Sequence, residues 1–271
     1  MLTFLKKIVT SASLFSFVFS LASLDVYAQS SELRSAKEEV TASVGRLGEE
    51  ESLSARKEAL IKIVAFSIAE TNELIKKLSV LKNLPQEYST LQADLLKYLN
   101  EQLEYQNGFL KNIDDENLDL EKVQALASAF KEWRATVYWP IANEVLNFYL
   151  LFQVGNILRI ADSRFQNIGL DLKRFKNSEV INLDVLWPIL NAAATNLQEA
   201  HKLYAKALEE LLNYFKEKNA LKNQPVGEIT MTEEITLDLK PFLEKIIGKV
   251  MVTYQKFLNM SRMVDKMVEK E

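Results

Sequence analysis

Along most of this chain apolar residues recur at steps of three and four, the spacing that places them on one face of an α-helix. Six segments carry the pattern. The first, from about Ser52 to Leu84, has one stripe at Leu60, Val64, Leu74, Leu78 and Leu81 and another at Ile61, Ile68 and Ile75, which predicts a helix with neighbours on both sides. The second begins near Pro85, where a missing N–H costs nothing in a first helical turn, and is expected to bury Leu91, Leu95, Leu99, Leu103, Leu110 and Ile113. Asp114, Asp115, Glu116 and Asn117 supply turn and capping chemistry before a third helix from about Asp119 through Trp133 toward Trp139. Pro140 either stops or kinks that helix, because it cannot donate and clashes with the preceding turn.

The fourth segment continues to about Lys176 on a stripe of Leu150, Val154, Ile157, Ala161, Phe165, Ile168, Leu172 and Phe175. At ~1.5 Å per residue it is about 54 Å long, a length suited to an elongated bundle. The fifth starts near Asp184, with Pro188 in its first turn, and runs to about Leu221 through Leu186, Leu190, Ala193, Leu197, Ala200, Tyr204, Leu208, Leu211 and Phe215. The sixth runs from about Asp238 to the C-terminus, and its core positions Leu243, Ile246, Val250, Thr253, Phe257, Met260, Val264 and Met267 keep the alternating steps of a coiled-coil seam. The pattern therefore predicts an all-α fold, an elongated bundle of about five or six long antiparallel helices with coiled-coil-like packing in a single domain over 52–271.

Two stretches depart from helical periodicity. Residues 29–51 are polar, with Gly45, Gly48 and an acidic run at Glu49, Glu50 and Glu51, and read as a frayed helix or a flexible leader. The connector 222–237 contains Gln224-Pro225-Val226-Gly227 and then β-branched residues in alternation, which suit either a plain connection or a small hairpin or lid. One echo is visible within the helices. Trp139-Pro140-Ile141-Ala142-Asn143 and Trp187-Pro188-Ile189-Leu190-Asn191 match until the Asn, and either a duplicated unit or shared helix-start chemistry accounts for them.

The N-terminus changes the picture from a bundle to an exported bundle. Lys6 and Lys7 precede an uncharged stretch from Ile8 to Leu24, and Val26-Tyr27-Ala28 offers small residues for signal peptidase, so residues 1–28 are expected to be a cleaved Sec signal. Retention as an anchor is the alternative, and five serines dilute the apolar run against it. The destination is periplasm, cell surface or medium. The chain has no cysteine, which removes lipoprotein anchoring and disulfide stapling, and the fold must rest on its core. A net charge of −4 without a basic block gives nucleic acid no electrostatic footprint. Seven Gly and five Pro in 271 residues leave little material for turns, in keeping with long elements.

Candidate chemistry is sparse. His201 is the only histidine, which excludes a two-histidine zinc motif, and Gln198 stands where a ferritin-like helix would carry Glu. It reads as a histidine at the edge of an apolar stripe. Met251, Met260, Met263 and Met267 crowd the last helix, where thioethers suit copper(I) but equally fill a heptad seam; the core reading is preferred. Asn259-Met260-Ser261 has the form of a glycosylation sequon inside that helix and is taken as coincidence. No cofactor or metal ligand set is assigned. Trp133, Tyr138, Trp139 and Trp187 are the residues expected to line a groove for a ligand or partner, since aromatic faces supply large contact area.

Long helices with clean stripes and no convergence of polar groups predict a non-enzymatic exported protein, a binding or scaffold module for a protein or apolar ligand. The alternative is a membrane-acting, pore-forming type of helical protein, to which the apolar run from Val145 to Leu158 and the β-prone connector would contribute. A metal- or haem-binding bundle is a third reading, limited to His201 and the methionines as ligands. The pattern leaves oligomeric state open.

Overall fold

A polar sequence still forms a helix when it has a neighbour to lean on. In the computed structural model, which describes residues 31–46, 52–113, 118–176, 184–222 and 237–268, the stretch expected as a polar leader contains helix α1, Ser31–Arg46. It packs against α2, Leu53–Ser79, burying Leu33, while Arg46 pairs with Glu58 at 2.9 Å and Lys62 with Glu39 at 2.7 Å. Few apolar residues are needed because one side of α1 stays in water. The remaining helices are α3, Gln86–Ile113; α4, Leu120–Trp133; α5, Trp139–Lys176; α6, Trp187–Lys222; and α7, Lys240–Val268. A π-helical turn, Arg134–Tyr138, joins α4 to α5, and a 3-10 turn, Asp184–Leu186, leads into α6. No strand occurs among the described residues. The expected signal segment and most of the β-prone connector lie outside them.

Local chemistry sets the helix ends. The Ser52 side chain accepts from the Ala55 N–H at 3.2 Å and starts α2. That helix stops at Ser79, short of the expected Leu84, and Asn83 then takes a left-handed conformation with φ 57°, which asparagine tolerates better than most residues. Gln92 of α3 donates to the carbonyls of Leu78 at 2.6 Å and Leu81 at 3.2 Å, tying α3 to the turn in which α2 ends. Asp119 caps α4 by accepting from the Lys122 N–H at 2.8 Å.

Contacts divide the chain into two compact units, one holding the described residues up to Tyr149 and the other those from Leu150 on. In the first, α2 is the hub and packs against α1, α3 and α4. Leu60 and Val64 of α2, Phe109 and Ile113 of α3, and Val123 and Phe130 of α4 form its apolar centre. In the second, α6 packs along α7. Here α6 buries Leu190, Ala193, Leu197, Ala200, Ala207 and Leu211 at steps that are mostly three or four, and α7 buries Leu243, Ile246, Val250, Thr253, Phe257 and Met260 likewise. The alanines let a neighbouring backbone approach closely. Gly155 of α5 does the same beneath the Tyr204 ring, where a Cβ would lie 2.8 Å from Cζ. Within the run from Val145 to Leu158, Val145 and Phe148 are buried in the first unit and Leu151, Val154, Ile157 and Leu158 in the second.

Candidate functional site

Pro140 neither ends the helix nor begins a new one. The chain stays helical from Leu120 to Lys176, and the strain that proline imposes is taken up by the π-turn just before it, where the Trp139 N–H reaches back to the Arg134 carbonyl. That extra residue also corrects the face of the helix. Phe130, Arg134, Tyr138 and Ala142 stand four apart, and three such steps would carry a stripe about 120° around an ideal helix. One additional residue in the turn cancels about 100° of this drift, so Phe130, Tyr138 and Ala142 are all buried.

Arg134 is thereby turned toward α2. Its guanidinium donates to Ser67 Oγ at 2.7 Å and to Glu70 Oε2 at 2.6 Å, and it lies 5.2 Å from the Tyr138 ring centroid and 5.9 Å from that of Phe66. Ser67 and Thr71 are completely buried, and so is Gln106 from α3. The Gln106 amide donates to Ser67 Oγ at 3.1 Å and to Thr71 Oγ1 at 3.0 Å, while the Thr71 hydroxyl donates within reach of Gln106 Oε1 and the Ser67 carbonyl. One cation, one carboxylate, two hydroxyls and an amide thus satisfy one another inside the unit. Nothing in the periodicity singled out Arg134 or Gln106; the only signal is a cation four residues from Phe130 and four from Tyr138, and an amide between Leu103 and Phe109.

The aromatic residues expected at a groove divide. Trp133 and Tyr138 belong to a ladder of rings in which Trp133 stacks on Tyr105 at 4.5 Å and on Tyr138 at 5.6 Å, and Phe130 lies 4.9 Å from Phe109. Tyr138 is wholly buried and serves the core. Trp139 faces outward, 43% exposed, and lines an open groove of about 550 Å³ together with Leu60, Ile63, Phe130, Lys131 and Arg134. None of the residues lining this groove is acidic. Trp187 belongs to the second unit, where it is half-buried at the start of α6, and is not part of this cluster.

Other titratable groups are held by the fold. His201 is exposed on α6 and its Nε2 lies 2.9 and 3.0 Å from the two carboxylate oxygens of Asp162 on α5. Glu199 pairs with Lys249 across α6 and α7. Burial pushes the Lys77 ammonium below its usual range of 10.5, and Glu73, 3.6 Å away, pulls it partly back. Burial likewise raises Tyr149, with the charge of Glu73 adding to the effect. Met260 is buried, and Met251, Met263 and Met267 are partly so, along α7. Among the described residues no group of three His, Cys, Asp or Glu is placed to hold a metal ion, and no helix is long and apolar enough to cross a membrane. No family model matches the chain, and no curated protein or solved structure is similar enough to match it.

Proposed function

We propose that this chain is an exported, non-enzymatic helical module that works by binding, and that the groove beside the π-turn is where it binds. The observation that carries this reading is the groove itself: apolar walls from Leu60, Ile63, Phe130 and Trp139, with two cations at the edge, within the size range of about 300–1,000 Å³ typical of small-ligand sites. The polar cluster next to it supports binding over catalysis. Arg134, Glu70, Ser67 and Gln106 are occupied with one another, so they rigidify a wall and offer no reacting group to a substrate. Export rests on the N-terminal signal pattern, and the paired seams of α6 and α7 support antiparallel, coiled-coil-like packing within an elongated bundle.

Native mass spectrometry of the protein purified from its own host tests the reading. A bound mass that departs on activation is the expected result, with the N-terminal peptide beginning at Gln29. Turnover in a broad hydrolase screen that vanishes on substitution of His201 or a defined carboxylate would overturn the non-enzymatic part, and a retained N-terminal segment would overturn cleavage after Ala28.

A further inference from the structure

The groove beside the π-turn carries a charge that its surroundings leave uncompensated. Arg134, at one edge, is already paired with Glu70. Lys131 stands exposed one turn before it and has no ion pair among the described residues. With no acidic residue in the lining, the site presents apolar walls and a single free positive charge.

We infer that this groove holds a single-chain amphiphile with one carboxylate, an anion of the fatty-acid type, its tail against Leu60, Ile63, Phe130 and Trp139 and its head at Lys131. The inference rests on the binding reading above and names the ligand for it. Charge complementarity selects the head: one uncompensated ammonium matches a monoanion, whereas a cationic head would be repelled. Size favours a small ligand, because a groove of about 550 Å³ falls within the range of about 300–1,000 Å³ typical of small-ligand sites. Because Lys131 is solvated, its contribution is preference among heads and the tail supplies most of the affinity.

Trp139 is a built-in reporter. A brominated stearate, which quenches indole emission on contact, is titrated into the full chain and into the variants W139F, W187F, K131Q and K131E, with stearyl alcohol and stearylamine as competitors. Quenching is expected in the wild type and in W187F and is expected to fall sharply in W139F, where Trp133 behind Phe130 is the only indole left close to the groove. K131Q should weaken binding about fivefold and K131E about tenfold, and the alcohol should compete about fivefold less well than stearate. Because Lys131 is exposed, both variants should keep the wild-type circular dichroism spectrum. If the alcohol or the amine competes as well as stearate while Trp139 still reports contact, the anionic head is wrong and the binding reading stands. Absence of quenching together with a bound mass in native mass spectrometry removes this ligand class alone. Absence of both removes the ligand and the binding reading together.

Discussion

The chain uses Trp-Pro-Ile-x-Asn twice, and from the tryptophan onward the two copies behave alike. Tyr138, Ala142 and Val145 are buried around the first, and Leu186, Leu190 and Ala193 at the corresponding positions of the second. Upstream they differ. Before Trp139 the backbone is already helical and widens into a π-turn; before Trp187 it arrives through a 3-10 turn and the helix starts there. The proline that opens one helix is thus absorbed inside another. The pentapeptide fixes which face is buried downstream, while the chain that leads into it decides how the missing N–H is accommodated.

The sharpest way to break this comparison is to remove what holds the first copy in place. Arg134 is anchored on α2 from within the π-turn, so Arg134→Ala should strand the Glu70 carboxylate, 5% exposed, and cost about 3–5 kcal/mol in urea denaturation. A double variant with Glu70→Gln should recover part of that loss. A loss below about 1 kcal/mol for Arg134→Ala would show that the π-turn stands without its ionic anchor.

The prolines come next in size. Pro188→Ala should destabilise by about 0.5–1 kcal/mol, since the ring restricts the unfolded chain and its N–H is not needed in a first turn. Pro140→Ala faces the same entropic loss but gains a donor inside a helix, worth about 1 kcal/mol, so its net effect should be near zero or stabilising. Equal losses at the two sites would remove the distinction.

The smallest effect lies in alkali. Because burial holds Lys77 below 10.5, the unfolded chain keeps that proton longer, and folded stability should rise with pH across the interval between the lowered value and 10.5. Tyr149, ten residues after Trp139, acts in the opposite sense: its raised value means the unfolded chain ionises first, and stability falls as pH climbs past 10.0. Lys77→Met should abolish the rise and leave the fall, measured as urea midpoints at a series of alkaline pH values.

How much of this was legible depends on where each residue's partner lies. The seam of α7 was readable because every position from Leu243 to Met260 reports on the same face, and all six are buried. The joined α4 and α5 were not, since a single Pro140 is compatible with a stop, a kink or a π-turn until the packing of Arg134 against α2 selects one. Helix α1 was hidden by its polarity, because a helix packed on one side only needs few apolar positions, and α1 buries just Leu33 and Ser43. Gln106 was read past for a related reason: its partners Ser67 and Thr71 lie 39 and 35 residues earlier, and no local pattern encodes a pairing of that separation. Of the aromatic residues expected at a groove, Trp139 lines one, and the extra residue of the π-turn turns its neighbour Tyr138 into the core.

The buried polar cluster also bears on how the chain finds its fold. Helices α2 and α3 carry regular leucine stripes, and such stripes accept one another at several offsets with similar apolar contact. Slipping by one turn would move Gln106 away from Ser67 and Thr71 and strand these buried groups, at about 1–3 kcal/mol for each one left without a partner. Against a total stability on the order of 5–15 kcal/mol, that rejects the misaligned pair before it can persist, so the cluster acts as a proofreading step for a collapse that leucines alone would leave degenerate.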